Sequence, residues 1–174
     1  MARSTILEHP DARLRARCGE VTVFDADLAR LVDDLLDTLH ASGGIGLSAP
    51  QLGDPRRVSV MDLAGDGSAP EVFVNPDILV RRRWAIVEES CLSVPGVEGK
   101  VMRATRVRVR AVDRTGAPFV RDLEDMHAVC LQHEVDHLDG TLFIDRLSPL
   151  RRWRLRRREA RARRADASAL AERA

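Results

Sequence analysis

The sequence predicts an α+β fold of antiparallel strands with few helices, and three observations predict it. An amphipathic helical stretch lies near the N-terminus, a series of short β-rich runs bounded by turn residues follows, and a second helical stretch comes after them. One of the β-rich runs alternates apolar and charged residues, as a strand with one wet face does.

Taken in order, Asp25 supplies an N-cap for a helix in which Leu28, Leu31, Val32, Leu35, Leu36 and Leu39 recur at helical spacing, and Gly43-Gly44 stop it. Strands are expected at Val58 to Leu63, Glu71 to Val74, Ile78 to Val87 and Thr105 to Val112. In the last of these Val107, Val109 and Ala111 alternate with Arg106, Arg108 and Arg110. Asp113-Arg114-Thr115-Gly116 then turns the chain toward Ala117 to Leu123 as a hairpin. Gly65-Asp66-Gly67-Ser68 and Pro95-Gly96 read as surface loops. The second helix is expected to begin after Asp122 and run to about Leu138, with Gly140 as its stop. Met126, Val129, Cys130, His133 and His137 would share one inward face.

The 174 residues suit one core. No apolar run approaches the roughly 20 residues of a membrane span, and the N-terminus lacks a signal-peptide apolar core, so a cytoplasmic protein is expected. Three cysteines, Cys18, Cys91 and Cys130, leave at least one thiol unpaired and fit a reducing compartment. The net charge of +1 conceals an asymmetry: residues 1 to 150 hold 18 basic and 24 acidic groups, whereas 151 to 174 hold 10 and 3. The chain therefore divides into a body, 1–150, and an Arg-rich helical tail, 151–174. The tail could contact a polyanion such as RNA through Arg151 to Arg164, or be a solvated helix. Leu150 and Trp153 give that helix a short apolar face, and Glu159 with Arg163 an i, i+4 ion pair.

The chemistry is concentrated in Gln132-His133-Glu134-Val135-Asp136-His137, which writes His-Glu-x-x-His within the second helix. Two imidazoles four residues apart lie on one helical face and can grip one metal ion, and the intervening glutamate can reach a water beside it. Two histidines among apolar residues can also be hydrogen-bonded core residues; the pair with its glutamate points to metal-assisted hydrolysis. A catalytic site wants a third protein ligand. The extended protease motif would place a histidine where Phe143 stands, and the glutamates downstream, Glu159 and Glu172, lie in the tail. Upstream, Glu88-Glu89-Ser90-Cys91-Leu92-Ser93 offers Cys91, a soft ligand suited to iron, zinc or cobalt, whereas Cys130 suits a small buried apolar role.

Three segments together, Gly44-Ile45-Gly46-Leu47-Ser48-Ala49-Pro50-Gln51, Glu89-Ser90-Cys91-Leu92-Ser93 and the His-Glu-x-x-His helix, resemble the three motifs of the peptide deformylase family, in order and spacing. The resemblance extends from His9-Pro10-Asp11 to Leu147-Ser148-Pro149-Leu150. It implies strands packed around the metal-bearing helix. It also implies hydrolysis of the N-formyl group from N-formylmethionyl nascent peptides of bacteria or organelles, releasing formate, with no DNA or membrane partner. Cys91, His133 and His137 would hold one divalent ion, often Fe2+ in this family, with Zn2+, Ni2+ or Co2+ compatible with the same donors. A metal-activated water would be the nucleophile, Glu134 the general base and acid, and the Gln51 side chain with the Leu92 N–H the oxyanion donors. Gly44, Ile45, Gly46, Val87, Glu89, Met126, Val129 and Cys130 would bind substrate, Gly46 in strand fashion. Asp136 could orient a metal-binding imidazole and Glu89 could pair with Arg103, or either could be a plain surface charge. The Arg-rich tail is a candidate contact to the ribosome.

Three positions depart from the family pattern. Ser90 precedes Cys91 where glycine is usual, which bears on the backbone beside that cysteine; Ser48 replaces an alanine; and Asp125 occupies a frequent glycine position, where with His127 it could reshape the pocket rim. Two other classes compete: a metallo-amidase or aminopeptidase of different substrate, and a non-catalytic RNA-binding module with a structural metal. Glu134 and Gln51 weigh against the second, since a structural site needs neither.

Overall fold

The computed structural model describes residues 5–171. Among these, five strands form one antiparallel sheet in the order β1 (Gly46–Ser48), β2 (Val58–Met61), β3 (Glu71–Ser90), β4 (Glu98–Val112), β5 (Pro118–Glu124). Three α-helices accompany it: α1 (Ala26–Ser42), α2 (Asp125–Leu138) and α3 (Pro149–Ala171). The α+β class follows directly, and no described helix is long and apolar enough to cross a membrane.

Helix α1 forms as its sequence demands. Asp25 accepts hydrogen bonds from the N–H groups of Asp27 and Leu28, both at 3.0 Å, and Gly43 closes the helix at φ 69°, a left-handed conformation that glycine adopts without a Cβ penalty. Its buried stripe, Leu28, Leu31, Val32, Leu35 and Leu39, packs on Leu47, Val58 and Val60 of β1 and β2. Each such leucine contributes about 2 kcal/mol of burial.

Two strands are longer than the sequence pattern indicates, while β2 ends at Met61, short of the expected Leu63. Glu71 to Val74 and Ile78 to Val87 belong to one 20-residue strand, because the Asn75-Pro76 interruption is a bulge and not a break. Asn75 sits at φ 51°, and its side chain bonds both the N–H and the C=O of Val21 at 2.8 Å. A proline is tolerated there because a bulged residue gives no N–H to the ladder. β4 begins at Glu98, seven residues before the alternating run, and pairs back along β3 to Ser90. The connection between them, residues 91–97, starts with Cys91. β1 has only three residues, two of them outside any apolar alternation, and exists through its pairing with β2.

Helix α2 starts at Asp125, later than the pattern suggests, because Leu123 and Glu124 still pair with β4. Asp125 turns out of the strand at φ 48°, which explains why glycine suits this position. The helix packs against β1, β2, β4 and β5 and is buried on most of its surface, with Met126 exposed at one end. Gln132 fastens it to the sheet: its amide accepts from the Ala104 N–H at 3.2 Å and donates to the Ala104 carbonyl at 2.7 Å.

In α3, Leu150 and Trp153 are exposed, and it is Leu155 that packs against the core cluster around Phe143 and Leu147. The expected apolar face is therefore displaced around the helix. Trp153 carries the Arg157 guanidinium 4.8 Å from its ring centre. The expected Glu159–Arg163 pair lies outside the described side chains.

Gln132→Ala should lower stability by about 1–3 kcal/mol, since both backbone groups of Ala104 lose a buried partner. Urea unfolding would measure it; an unchanged midpoint would remove the clamp from the account.

Candidate active site

Three segments converge on one cavity of about 460 Å³: the chain from Gly43 to Gln51, the end of β3 with the turn after it, and the outer face of α2. Its wall includes Gly44, Ile45, Gly46, Gln51, Glu89, Cys91, Leu92, Met126, Val129, Cys130, His133 and Glu134. Val87 is not on that wall; it is half-buried and pairs with Val101. Gly43, Glu88, Ser90 and Pro95 line the cavity as well, without having been singled out as wall residues from the sequence.

The helical spacing of His133 and His137 puts their ring centres 5.0 Å apart. Cys91 reaches in from the β3–β4 turn, and one donor atom from each of the three lies within 4.8 Å of the others. Cys91 Sγ is 3.2 Å from His137 Nε2. One thiol sulfur and two imidazole nitrogens, clustered and largely buried, fit a divalent first-row transition metal. Phe143, which stands in place of a third histidine, stacks against His133 at 6.1 Å and closes the apolar side of the group.

The supporting charges differ from the sequence expectation in one respect. Asp136 touches neither imidazole; its carboxylate binds Arg103 at 2.7 Å and also Arg146. Glu89 orients His133 instead, 2.9 Å from Nδ1, while its two oxygens also accept from Arg103 at 2.6 and 3.0 Å. Glu89 thus lines the cavity with its carboxylate already engaged. Burial disfavours its charge, but the bonds to His133 and Arg103 outweigh that and hold the carboxyl at about 2. Burial likewise opposes a charged His133, yet its bonds to Cys91 and Glu89 push the ring up to about 10. His137, buried and facing the charges of His133 and Arg103, is held well below the usual imidazole value.

Glu134 projects to the same cavity and is only 3% exposed. Burial raises its carboxyl above the ordinary range, which suits a group that must take up and release a proton. Gly46 lies against it: a Cβ there would come within 2.5 Å of Glu134 Oε1 and 2.7 Å of Cys130 Sγ. A side chain there would have to displace one or both of those groups. Gln51, in a short 3-10 helix (Ala49–Leu52), is fixed at both ends of its amide. Oε1 accepts from the Ser48 N–H at 2.9 Å, and Nε2 donates to Ser93 Oγ at 3.0 Å with Cys91 Sγ 4.0 Å away. Ser93 closes the second motif, and its anchoring of Gln51 is visible only in the fold. The Leu92 N–H has no intramolecular partner among the described residues. Ser90 lies in β3 without a positive φ, so serine meets no backbone restriction there.

A His-Glu-x-x-His helix completed by a cysteine, beside a buried carboxylate and an anchored amide, defines a metal-dependent hydrolase of the α+β class. Residues 3–153 match the family model described as polypeptide deformylase. The peptide deformylase of Alkalilimnicola ehrlichii is 50% identical over 159 residues, covering 91% of this chain and 89% of that protein. Peptide deformylase 1 of Shewanella oneidensis is 43% identical, covering 96% and 99%. A peptide deformylase crystal structure from Legionella pneumophila superposes with a TM-score of 0.87 at 45% identity, covering 95% of this chain and 98% of that one. The chain belongs to the polypeptide deformylase family of enzymes.

Two outcomes follow from this geometry. Gly46→Ala should cut turnover by about 100-fold, the usual consequence of displacing a reacting group by an ångström, with fold and melting temperature retained. Glu89, whose folded value of about 2 lies below its ordinary 4.5, contributes stability that is complete above pH 4.5 and is lost as pH falls toward 2. Glu89→Gln should therefore lose less stability than the parent across that window in thermal melts.

Proposed function

We propose that the chain hydrolyses the formyl group from the N-terminal formylmethionine of nascent peptides, releasing formate and a free amine. One observation carries the reading: Cys91, His133, Glu134, Gln51 and Leu92 all line one cavity with an apolar side, and His137 completes the donor group behind it, its donor atom within 4.8 Å of the other two. Cys91, His133 and His137 would hold the ion. When bound it supplies Lewis acidity and a water whose pKa falls toward about 7.

Glu134 accepts the proton released by the attacking water and returns it to the departing amine nitrogen, so a single buried carboxylate serves both transfers. Gln51 Nε2 and the Leu92 N–H donate to the oxygen that becomes negative at the formyl carbon; each such donor contributes roughly 3 kcal/mol to lowering the barrier. Ile45 and Met126, large apolar residues exposed at the mouth, and the buried Val129 and Cys130 offer an apolar surface for the methionine side chain. Cys130 is a neutral thiol, its pKa driven up by burial, and suits that surface. Gly44 keeps the wall open, and β1 is an edge strand, so Gly46 can pair with an extended peptide.

The catalytic unit is assigned to residues 1–150 and the basic tail to 151–174. Iron is the proposed ion and a bacterial cytoplasm the proposed setting, supported by three free cysteines. The tail is proposed to contact ribosomal RNA, supported by the exposure of Arg154, Arg156, Arg157, Arg158 and Arg161 on one helix.

Glu134→Gln should retain the metal and lose at least about 1000-fold in rate; retention of full activity would contradict the shuttle. Among formyl-Met, acetyl-Met and free-Met peptides, only the first should be turned over rapidly, and equal rates would favour a general amidase or aminopeptidase. Because Leu155 packs on the body, the tail is best tested by replacing Arg154, Arg157, Arg158 and Arg161 with alanine. Ribosome affinity and its salt dependence should fall while small-peptide turnover stays constant.

A further inference from the structure

Ser48 stands at the end of β1 with no solvent exposure, and it touches both groups assigned to proton transfer and charge stabilisation. Its Oγ donates to Glu134 Oε2 at 2.6 Å and lies 3.1 Å from the Glu134 carbonyl oxygen. Its backbone N–H donates to Gln51 Oε1 at 2.9 Å, leaving the amide nitrogen turned toward Ser93 and Cys91. A hydroxyl has one proton, and the shorter contact, to a carboxylate, is the stronger of its two choices. The second carboxylate oxygen, Oε1, lies against the bare Cα of Gly46 and accepts no hydrogen bond among the described residues. The carboxylate is thus gripped by one oxygen and open at the other.

We propose that Ser48 is a positioning residue for Glu134: its hydroxyl fixes the carboxylate through Oε2, so that Oε1 is the oxygen that takes up and delivers the proton. The inference rests on the deformylase reading of Glu134 and adds a residue and an assignment of roles to its two oxygens. The backbone N–H that orders Gln51 is present whatever the side chain at this position, so substitution isolates the hydroxyl. The bond is lost when serine becomes alanine, while the space is altered by a single oxygen atom.

The experiment is a double-mutant cycle on the full metal-loaded enzyme with Ser48→Ala and Glu134→Gln, reading kcat and KM for a formyl-Met peptide, bound metal per chain, and thermal unfolding of the metal-free proteins. Ser48→Ala should lower kcat about tenfold with KM within twofold of the parent and metal content unchanged. In the Glu134→Gln background the same substitution should have no further effect on kcat, and the two changes should be non-additive in the metal-free unfolding midpoint. An unchanged kcat in Ser48→Ala, a rise in KM alone, or the same tenfold fall in both backgrounds would overturn the role of Ser48. A Glu134→Gln enzyme at the parent rate would instead overturn the reading of Glu134 itself, and the positioning role with it.

Discussion

The Arg103 guanidinium, 3% exposed, joins three elements that must be in register for the site to exist. From β4 it binds Glu89 on β3 and Asp136 on α2, and Glu89 in turn holds His133. Cys91 follows Glu89 by two residues, and Asp136 lies between His133 and His137 in the chain. A shift of either strand or of the helix would therefore leave a carboxylate or the guanidinium buried without a partner. Such a loss costs about 3–5 kcal/mol, whereas the intact network adds little net stability over apolar packing. Its contribution is registration: it makes the donor group a consequence of the fold and not of loop conformation.

The same logic runs through the rest of the site. Gln132 locks the height of α2 against β4, and Glu89 fixes the ring orientation of His133. Ser93 and the Ser48 N–H hold the two ends of the Gln51 amide. Gly46 is bare because the carboxylate of Glu134 and the thiol of Cys130 occupy the volume of a side chain. Glu134, Gln51 and His133 are each held by a group on a different element, which preorganises these three side chains.

Elements whose signal is local were readable in the sequence. α1 carries its cap, its period and its stop within 19 residues, from Asp25 to Gly43, and the structure reproduces all three. The His-Glu-x-x-His helix was likewise legible from its own spacing, whereas Cys91 was a candidate by donor type and resemblance, and it is the fold that brings it within reach of both histidines. What was hidden depends on partners far away in sequence. β1 has no pattern of its own and is defined by Met61, Val60 and Ser59 opposite it. The gap between the expected strands Glu71 to Val74 and Ile78 to Val87 is a bulge braced by Val21, a partner that residues 71–80 alone do not reveal. Asp136 looked like a partner for an imidazole by proximity in the chain, but Arg103 and Arg146 claim it. Trp153 looked apolar-facing by helical period, yet the core meets α3 at Leu155.

The central claim is that one metal ion per chain, held by Cys91, His133 and His137, is required for formate release. Its most direct measurement is a titration of Fe2+ into the metal-free protein under anaerobic conditions, following formate released from a formyl-Met peptide. The account predicts no activity without metal, a linear rise, and a plateau at one ion per chain, with Cys91→Ala failing to reach it. Formate release by the metal-free protein, or an unaltered plateau in Cys91→Ala, would contradict it.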